Sequence, residues 1–222
     1  MNVSTTLSSH SISVPFAAIS ENMTVAEALE AFKESPEIPL NQSWLPQTEA
    51  GFLPGCVRVV QDGSSLHVLA VLHSSAFVGH SCPINEMFFT HSDAFEIFLR
   101  PENQDAYYEF HVGTANQKLQ LRIPSAEAFV HTSNSERGAW AIPEARFKSS
   151  SHLDRENGLW YVQATIPFNS VVETGGSTEQ WCFSFARYDY AAAGAAPVLS
   201  ATSPYSKLNF HRQEEWNSMR FS

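Results

Sequence analysis

Glu96, Glu109 and His111 are the side chains whose types and spacing could do chemistry. Two carboxylates and an imidazole on one surface can orient the hydroxyl groups of a neutral polyol, because carboxylates accept hydrogen bonds and histidine can donate or accept. Facing carboxylates could instead act as the acid and nucleophile of a glycosidase. A methionine with a histidine could hold haem iron, and Met87 with His111 or His211 offers such a pair. Each possibility requires the chain to bring these residues to one face.

The stretch His91 to Ile123 can do this, because it reads as three successive antiparallel strands. Phe95, Ile97 and Leu99 alternate with Ala94, Glu96 and Phe98. Tyr108, Phe110 and Val112 alternate with Tyr107, Glu109 and His111, and Leu119, Leu121 and Ile123 with Lys118, Gln120 and Arg122. Period-2 alternation predicts strands with one face on a core. Pro101-Glu102-Asn103 and Gly113-Thr114-Ala115-Asn116 supply the turns. With the apolar sets together, Glu96, Glu109 and His111 share the opposite face. One permitted register sets Glu96 against Glu109, and a two-residue slip sets it against His111. Repulsion between facing carboxylates favours the second. A merely solvated polar face is the competing expectation.

The motifs Ser92-Asp93-Ala94-Phe95-Glu96-Ile97-Phe98-Leu99 and Tyr107-Tyr108-Glu109-Phe110-His111-Val112 resemble family 9 carbohydrate-binding modules, a DOMON-like group of β-sandwiches. The resemblance extends over residues 56 to 222, through Gly158-Leu159-Trp160-Tyr161, Trp181-Cys182-Phe183-Ser184-Phe185 and the closing Asn209-Phe210-His211. It implies an all-β antiparallel sandwich of jelly-roll type and non-catalytic recognition of a mono- or oligosaccharide. It carries sugar contact to Glu96 and to His111, where the family often has Arg, and stacking to Phe210, where Trp occurs. The family also places a stacking aromatic just ahead of the first strand. Thr90 aligns closest here, with Phe88 and Phe89 immediately before it. Phe88, Phe89, His91, Glu96, Glu109, His111, Phe210 and His211 form the candidate binding set.

The remaining chain frames this core as a single domain over residues 1–222. Residues 1–55 supply an edge strand, a short N-terminal helix and a loop. Thr24-Val25-Ala26-Glu27 reads as a capping box, followed by Val25, Ala28, Leu29 and Phe32 at helical spacing. Such a helix is expected to plug an end of the sandwich. Asp62-Gly63 predicts a hairpin and Gly175-Gly176 a further turn. Arg187 has core parity in its strand and Asp93 in its own, which suggests a structural Asp93–Arg187 ion pair.

Composition narrows the partners. A net charge of -10 argues against nucleic acid, whose phosphates call for a basic surface, and against anionic membranes. Nothing in the sequence approaches a membrane span, and Met1 to Ser13 lacks the pattern of a secretory leader, so a cytoplasmic location is the default expectation. Three scattered cysteines favour free thiols, with Cys82 and Cys182 the better-placed pair. Asp154, Glu156 and Asn157 offer oxygens to a calcium ion without completing a ligand set, so any metal stays unassigned.

Overall fold

A computed structural model describes residues 10–133, 136–173 and 179–221; the Gly175-Gly176 turn lies outside them. Among the described residues the strands build two sheets. One contains β1 (Ser11–Val14), β12 (Asn217–Phe221), β10 (Gln180–Tyr190), β5 (Ala94–Pro101), β6 (Tyr107–Gly113) and β7 (Lys118–Ile123) in that order, with β11 (Pro197–Ala201) also on β10. The other has the order β2 (Ile38–Pro39), β3 (Gly55–Gln61), β4 (Ser65–His73), β9 (Leu159–Pro167), β8 (Lys148–Asp154). The fold is a β-sandwich.

The main core fills the space between the sheets. Phe95, Ile97 and Leu99 of β5, Tyr108, Phe110 and Val112 of β6, and Trp181, Phe183 and Phe185 of β10 meet Val68, Ala70 and Leu72 of β4 and Trp160 and Val162 of β9. Alternation therefore works on both sides of the interface, as expected for aligned sheets.

The seven-stranded sheet departs from the simplest pattern, because its outer face is also covered. Leu119, Leu121 and Ile123 of β7 lie with Ala94, Phe98 and Tyr107 in a second apolar cluster, completed by Phe88, Tyr205, Phe210 and Trp216 from the loops. The register Leu119↔His111 and Leu121↔Glu109 puts these leucines on the acid–histidine side. In their place on the inner side, Gln120 donates from Nε2 to the carbonyls of Ile142 and Glu144 and accepts from Arg146 N–H. A buried amide thus tethers the β7–β8 connection. The expectation of a solvated outer face is overturned.

Helix α1 (Val25–Ala31) has a complete capping box: Glu27 N–H donates to Thr24 Oγ1 and Thr24 N–H to Glu27 Oε2. It lies against the outer face of the five-stranded sheet, through Ala28 and Phe32 on Val60 and Leu69, rather than plugging an end. The reason is that Val60 and Leu69 face away from the main core and need their own cover. A second helix, α2 (Ala126–His131), is capped by Ser125, whose Oγ accepts from Ala128 N–H.

Arg187 and Asp93 also differ from expectation. Arg187 Nη2 sits 2.8 Å from Asp189 Oδ1. Residues two apart on a strand share a face, so Asp189 is the nearer partner. Asp93 instead accepts the N–H groups of Val78 at 2.8 Å and Tyr190 at 2.7 Å, which otherwise lack partners at the loop base. Burial, with Asp189 nearby, pushes Asp93 up to about 6 against the pull of these bonds and of Arg187.

The three cysteines are free thiols. Phe110, fully buried between Tyr108 and Phe147, tests the main core. Phe110→Ala is expected to cost about 3–5 kcal/mol in urea denaturation. A loss below 1 kcal/mol would contradict the packing described.

Candidate functional site

Strands β5 and β6 pair with Glu96 opposite His111. This register interposes an imidazole between the two carboxylates. His111 Nδ1 lies 3.1 Å from Glu96 Oε1, and His111 Nε2 lies 3.3 Å from Glu109 Oε2. The other oxygen of Glu109 lies 3.2 Å from His211 Nδ1, itself 2.9 Å from the Tyr107 hydroxyl. A chain of acid, imidazole, acid, imidazole and phenol therefore runs over the outer face of the meander. Glu96, Glu109 and His111 are each less than 5% exposed.

Such burial splits the two carboxylates. For Glu96, burial is the strongest influence and Glu109 adds to it; they outweigh His111 and push the acid up to about 7. Burial acts on Glu109 too, but His211 and His111 overcome it and hold the group down at about 2. His111 would be pulled down by burial, yet Glu96 and Glu109 raise it above its ordinary value. At neutral pH Glu109 is ionised and Glu96 is near its midpoint, while the two acids shift His111 toward its protonated form. His111 Nδ1 and Glu109 Oε1 make no aligned hydrogen bond among the described residues despite these contacts. They retain capacity for a polar group.

Aromatic rings enclose the chain. The half-buried Phe89 ring lies 5.4 Å from both His111 and Tyr188. Phe129 of α2 stacks on His211 at 3.5 Å, and Arg137 caps its other side at 3.6 Å. Trp140 neighbours Phe129, and Trp44 meets Phe210 edge-on.

The fold brings Phe89, Glu96, Glu109, His111 and His211 together. Phe88 is fully buried and Phe210 nearly so. Phe210 packs on Phe98, Tyr188 and Tyr205, and its carbonyl accepts from Tyr205 and Trp216. Both residues support the site from below, and neither presents the open ring face that stacking requires. His91 turns toward Glu86 and away from Glu96. Sequence reasoning did not assign Tyr107, Tyr188, Phe129, Trp140 or Trp44. The parity of β10, with Phe183 and Phe185 inward, already sends Tyr188 to the outer face.

The alternative cofactors fare poorly on geometry. Both nitrogens of His111 face carboxylates, and His211 Nδ1 faces Glu109 and Tyr107, so each of these imidazoles is engaged by an acid. Asp154 accepts from Asn157 N–H and Nδ2 at 3.0 and 2.7 Å, closing the β8–β9 turn on itself and not presenting a calcium cradle. A groove of about 780 Å³ lies against the outer face of the five-stranded sheet, lined by Glu21, His67, Lys148, Gln163 and Thr165. Its aromatics, Phe32 and Phe147, are buried and offer no stacking surface. Asp62 there receives Ser64 and Ser65 N–H groups as well as His67, which marks it as a hairpin cap.

Removing His111 leaves buried Glu96 without an imidazole and Glu109 with His211 alone. His111→Ala is therefore expected to destabilise the protein by about 3–5 kcal/mol in chemical denaturation. Its two-sided burial is what distinguishes it from a residue on a solvated face.

Glu96 makes a second prediction. Its pKa is raised on folding from its ordinary value of 4.5 to about 7, so the folded state binds the proton more tightly. The stability this confers is full below the unfolded value and is lost as pH rises through 7. Glu96→Gln, which keeps the neutral shape, should melt above wild type at pH 8, with the gap narrowing toward pH 4. A gap independent of pH would mean that Glu96 is not held protonated.

No family model and no curated protein sequence matches the chain. Solved structures do. A candidate carbohydrate-binding protein of Bacteroides uniformis ATCC 8492 superimposes with a TM-score of 0.74 at 16% identity, covering 97% of this chain and 100% of that one. A family 9 carbohydrate-binding module of Caldicellulosiruptor kristjanssonii bound to glucose gives a TM-score of 0.63 at 14% identity, over 96% and 95% of the two chains. The same source's module bound to cellotriose gives 0.62 at 14% identity, over 96% and 93%. This chain has the fold that those carbohydrate-binding proteins share.

Proposed function

We propose that this protein recognises a neutral carbohydrate without transforming it, at the outer face of β5 and β6. The observation that carries the reading is the buried acid–imidazole chain enclosed by half-buried aromatic rings. Sugars present hydroxyl edges and C–H faces, so a site for them combines fixed polar groups with apolar ring surfaces. Here Glu96, His111 and Glu109 supply the polar groups, and Phe89, with Tyr188, supplies the rings. Modules of the same fold that hold glucose and cellotriose support the choice of ligand class.

The roles divide by protonation. His111, raised by its two acidic neighbours, donates to a hydroxyl, and the ionised Glu109 accepts. Glu96 donates below about pH 7 and accepts above it. Glu96, pushed up to about 7, therefore makes binding sensitive to pH near neutrality. Non-catalytic binding is the better reading of the pair of acids. A glycosidase requires the scissile bond between its carboxylates, and here His111 contacts both.

Isothermal titration with glucose, cellobiose and cellotriose tests the proposal. Phe89→Ala is the informative variant, since the ring is only half-buried and stacking is its main contribution. Its affinity should fall by about 1–2 kcal/mol, in line with an aromatic contact, while its melting temperature stays near wild type. Absence of heat with a broad panel of neutral sugars would sink the reading. Turnover of aryl glycosides abolished by Glu96→Gln would replace it with the enzymatic one.

A further inference from the structure

The β4–β5 loop carries a second cluster that sugar recognition leaves unused. His80, Glu86 and His91 bring two imidazole nitrogens and a carboxylate oxygen within 4.8 Å of one another. His80 Nε2 lies 3.9 Å from Glu86 Oε1, and His91 Nε2 lies 3.8 Å from the same oxygen. The two rings stack at 5.0 Å with 24° between their planes.

The arrangement is fixed from behind. His91 Nδ1 lies 3.0 Å from the Thr90 hydroxyl, and His80 Nδ1 lies 3.5 Å from that of Ser92. Both Nε2 atoms are thereby turned toward one carboxylate. Metal-binding histidines are oriented in this way, through a hydrogen bond at the nitrogen that does not face the metal.

The backbone is anchored as well. The His80 carbonyl accepts from Gln117 Nε2. Asn85, in the left-handed region at φ 68°, donates from its backbone to Lys118 and from its side chain to Ile142, and accepts from Gln120 N–H. That turn sets Glu86. The loop seats closely enough on β6–β7 that a Cβ on Gly79 would come within 2.1 Å of Thr114 Oγ1, so only glycine fits there.

We propose that His80, Glu86 and His91 bind a divalent transition-metal cation of the zinc class, with water completing the coordination. Two imidazoles and one carboxylate suit zinc, nickel or copper better than calcium or magnesium, which take all-oxygen shells. Bonds of about 2.1 Å at a tetrahedral angle span an edge of about 3.4 Å, so each imidazole must draw in on the Glu86 oxygen by about half an ångström, and the widest separation of the set, within 4.8 Å, by up to about 1.4 Å. Their exposure, at 53%, 40% and 44%, leaves room for that movement. The ion joins the two ends of the segment that carries Phe88 and Phe89, and so fixes the loop against the sheet. The site does not depend on what the outer face of the meander binds.

The test is a calorimetric titration of the full, tag-free and chelator-stripped chain with ZnCl₂, paired with the visible spectrum of the Co²⁺ form. Wild type should bind one Zn²⁺ and give the absorption of low-coordinate Co²⁺. His80→Ala, His91→Ala and Glu86→Gln should each weaken binding by at least about tenfold. Cys82→Ser, whose sulfur lies outside the cluster, should bind as wild type does. All four positions are at least partly exposed, and circular dichroism checks that the variants fold. No saturable Zn²⁺ binding by wild type, or equal affinity in the His80→Ala/His91→Ala double variant, overturns the proposal.

Discussion

Strand β6 is buried on both faces, and this constraint organises the molecule. Its inner residues belong to the sandwich core. Its outer residues include Glu109 and His111, which cannot lose water singly without a large cost. The cost is offset by alternation of acid and base from Glu96 through His111 and Glu109 to His211. Each member has its neighbour only if β5 and β6 keep one register and the C-terminal loop places His211 over β6. A slip of two residues would set Glu96 against Glu109 with no imidazole between them. The charge pattern specifies the pairing as firmly as the hydrophobic pattern does.

The loops follow from the same constraint. An outer face bearing Phe98, Leu119, Leu121 and Ile123 needs a roof, and three long connections provide it. The β4–β5 loop brings Phe88 and Phe89, the β7–β8 connection brings Phe129 and Trp140, and the C-terminal loop brings Phe210 and Trp216. Buried Phe88 and Phe210 hold the roof in place, which leaves Phe89 with a partly open ring. Residues that look equivalent as aromatics in the sequence thus divide by depth into buried supports and a partly open ring.

Depth is also what the sequence conceals. Alternation in β5, β6 and β10 identified the inner face, and repulsion between carboxylates selected the observed register. In β7 the same alternation was silent on sidedness, because apolar residues serve either face when both are covered. Gln120 therefore occupies an inner position and the leucines an outer one. Helix α1 was legible from its cap, but its docking on Val60 and Leu69 depended on a sheet face whose exposure local pattern does not reveal. Arg187 was correctly read as buried, but its partner was set by a same-face neighbour two residues along the strand. The roofing rings escaped assignment because they come from loops, where no periodicity marks which side chain turns inward.

The separation of Glu96 and Glu109 follows from their positions along the chain of contacts. Glu109 touches two imidazoles, and their combined attraction exceeds the cost of burial. Glu96 touches one, at the end of the chain, and burial prevails. Two identical side chains on adjacent strands are therefore pushed in opposite directions, Glu96 up to about 7 and Glu109 down to about 2. The outer face of the meander thus presents two acids of different proton affinity on either side of one imidazole. Alternation of acid and base along the chain of contacts is what lets the meander be buried without leaving a carboxylate unpaired.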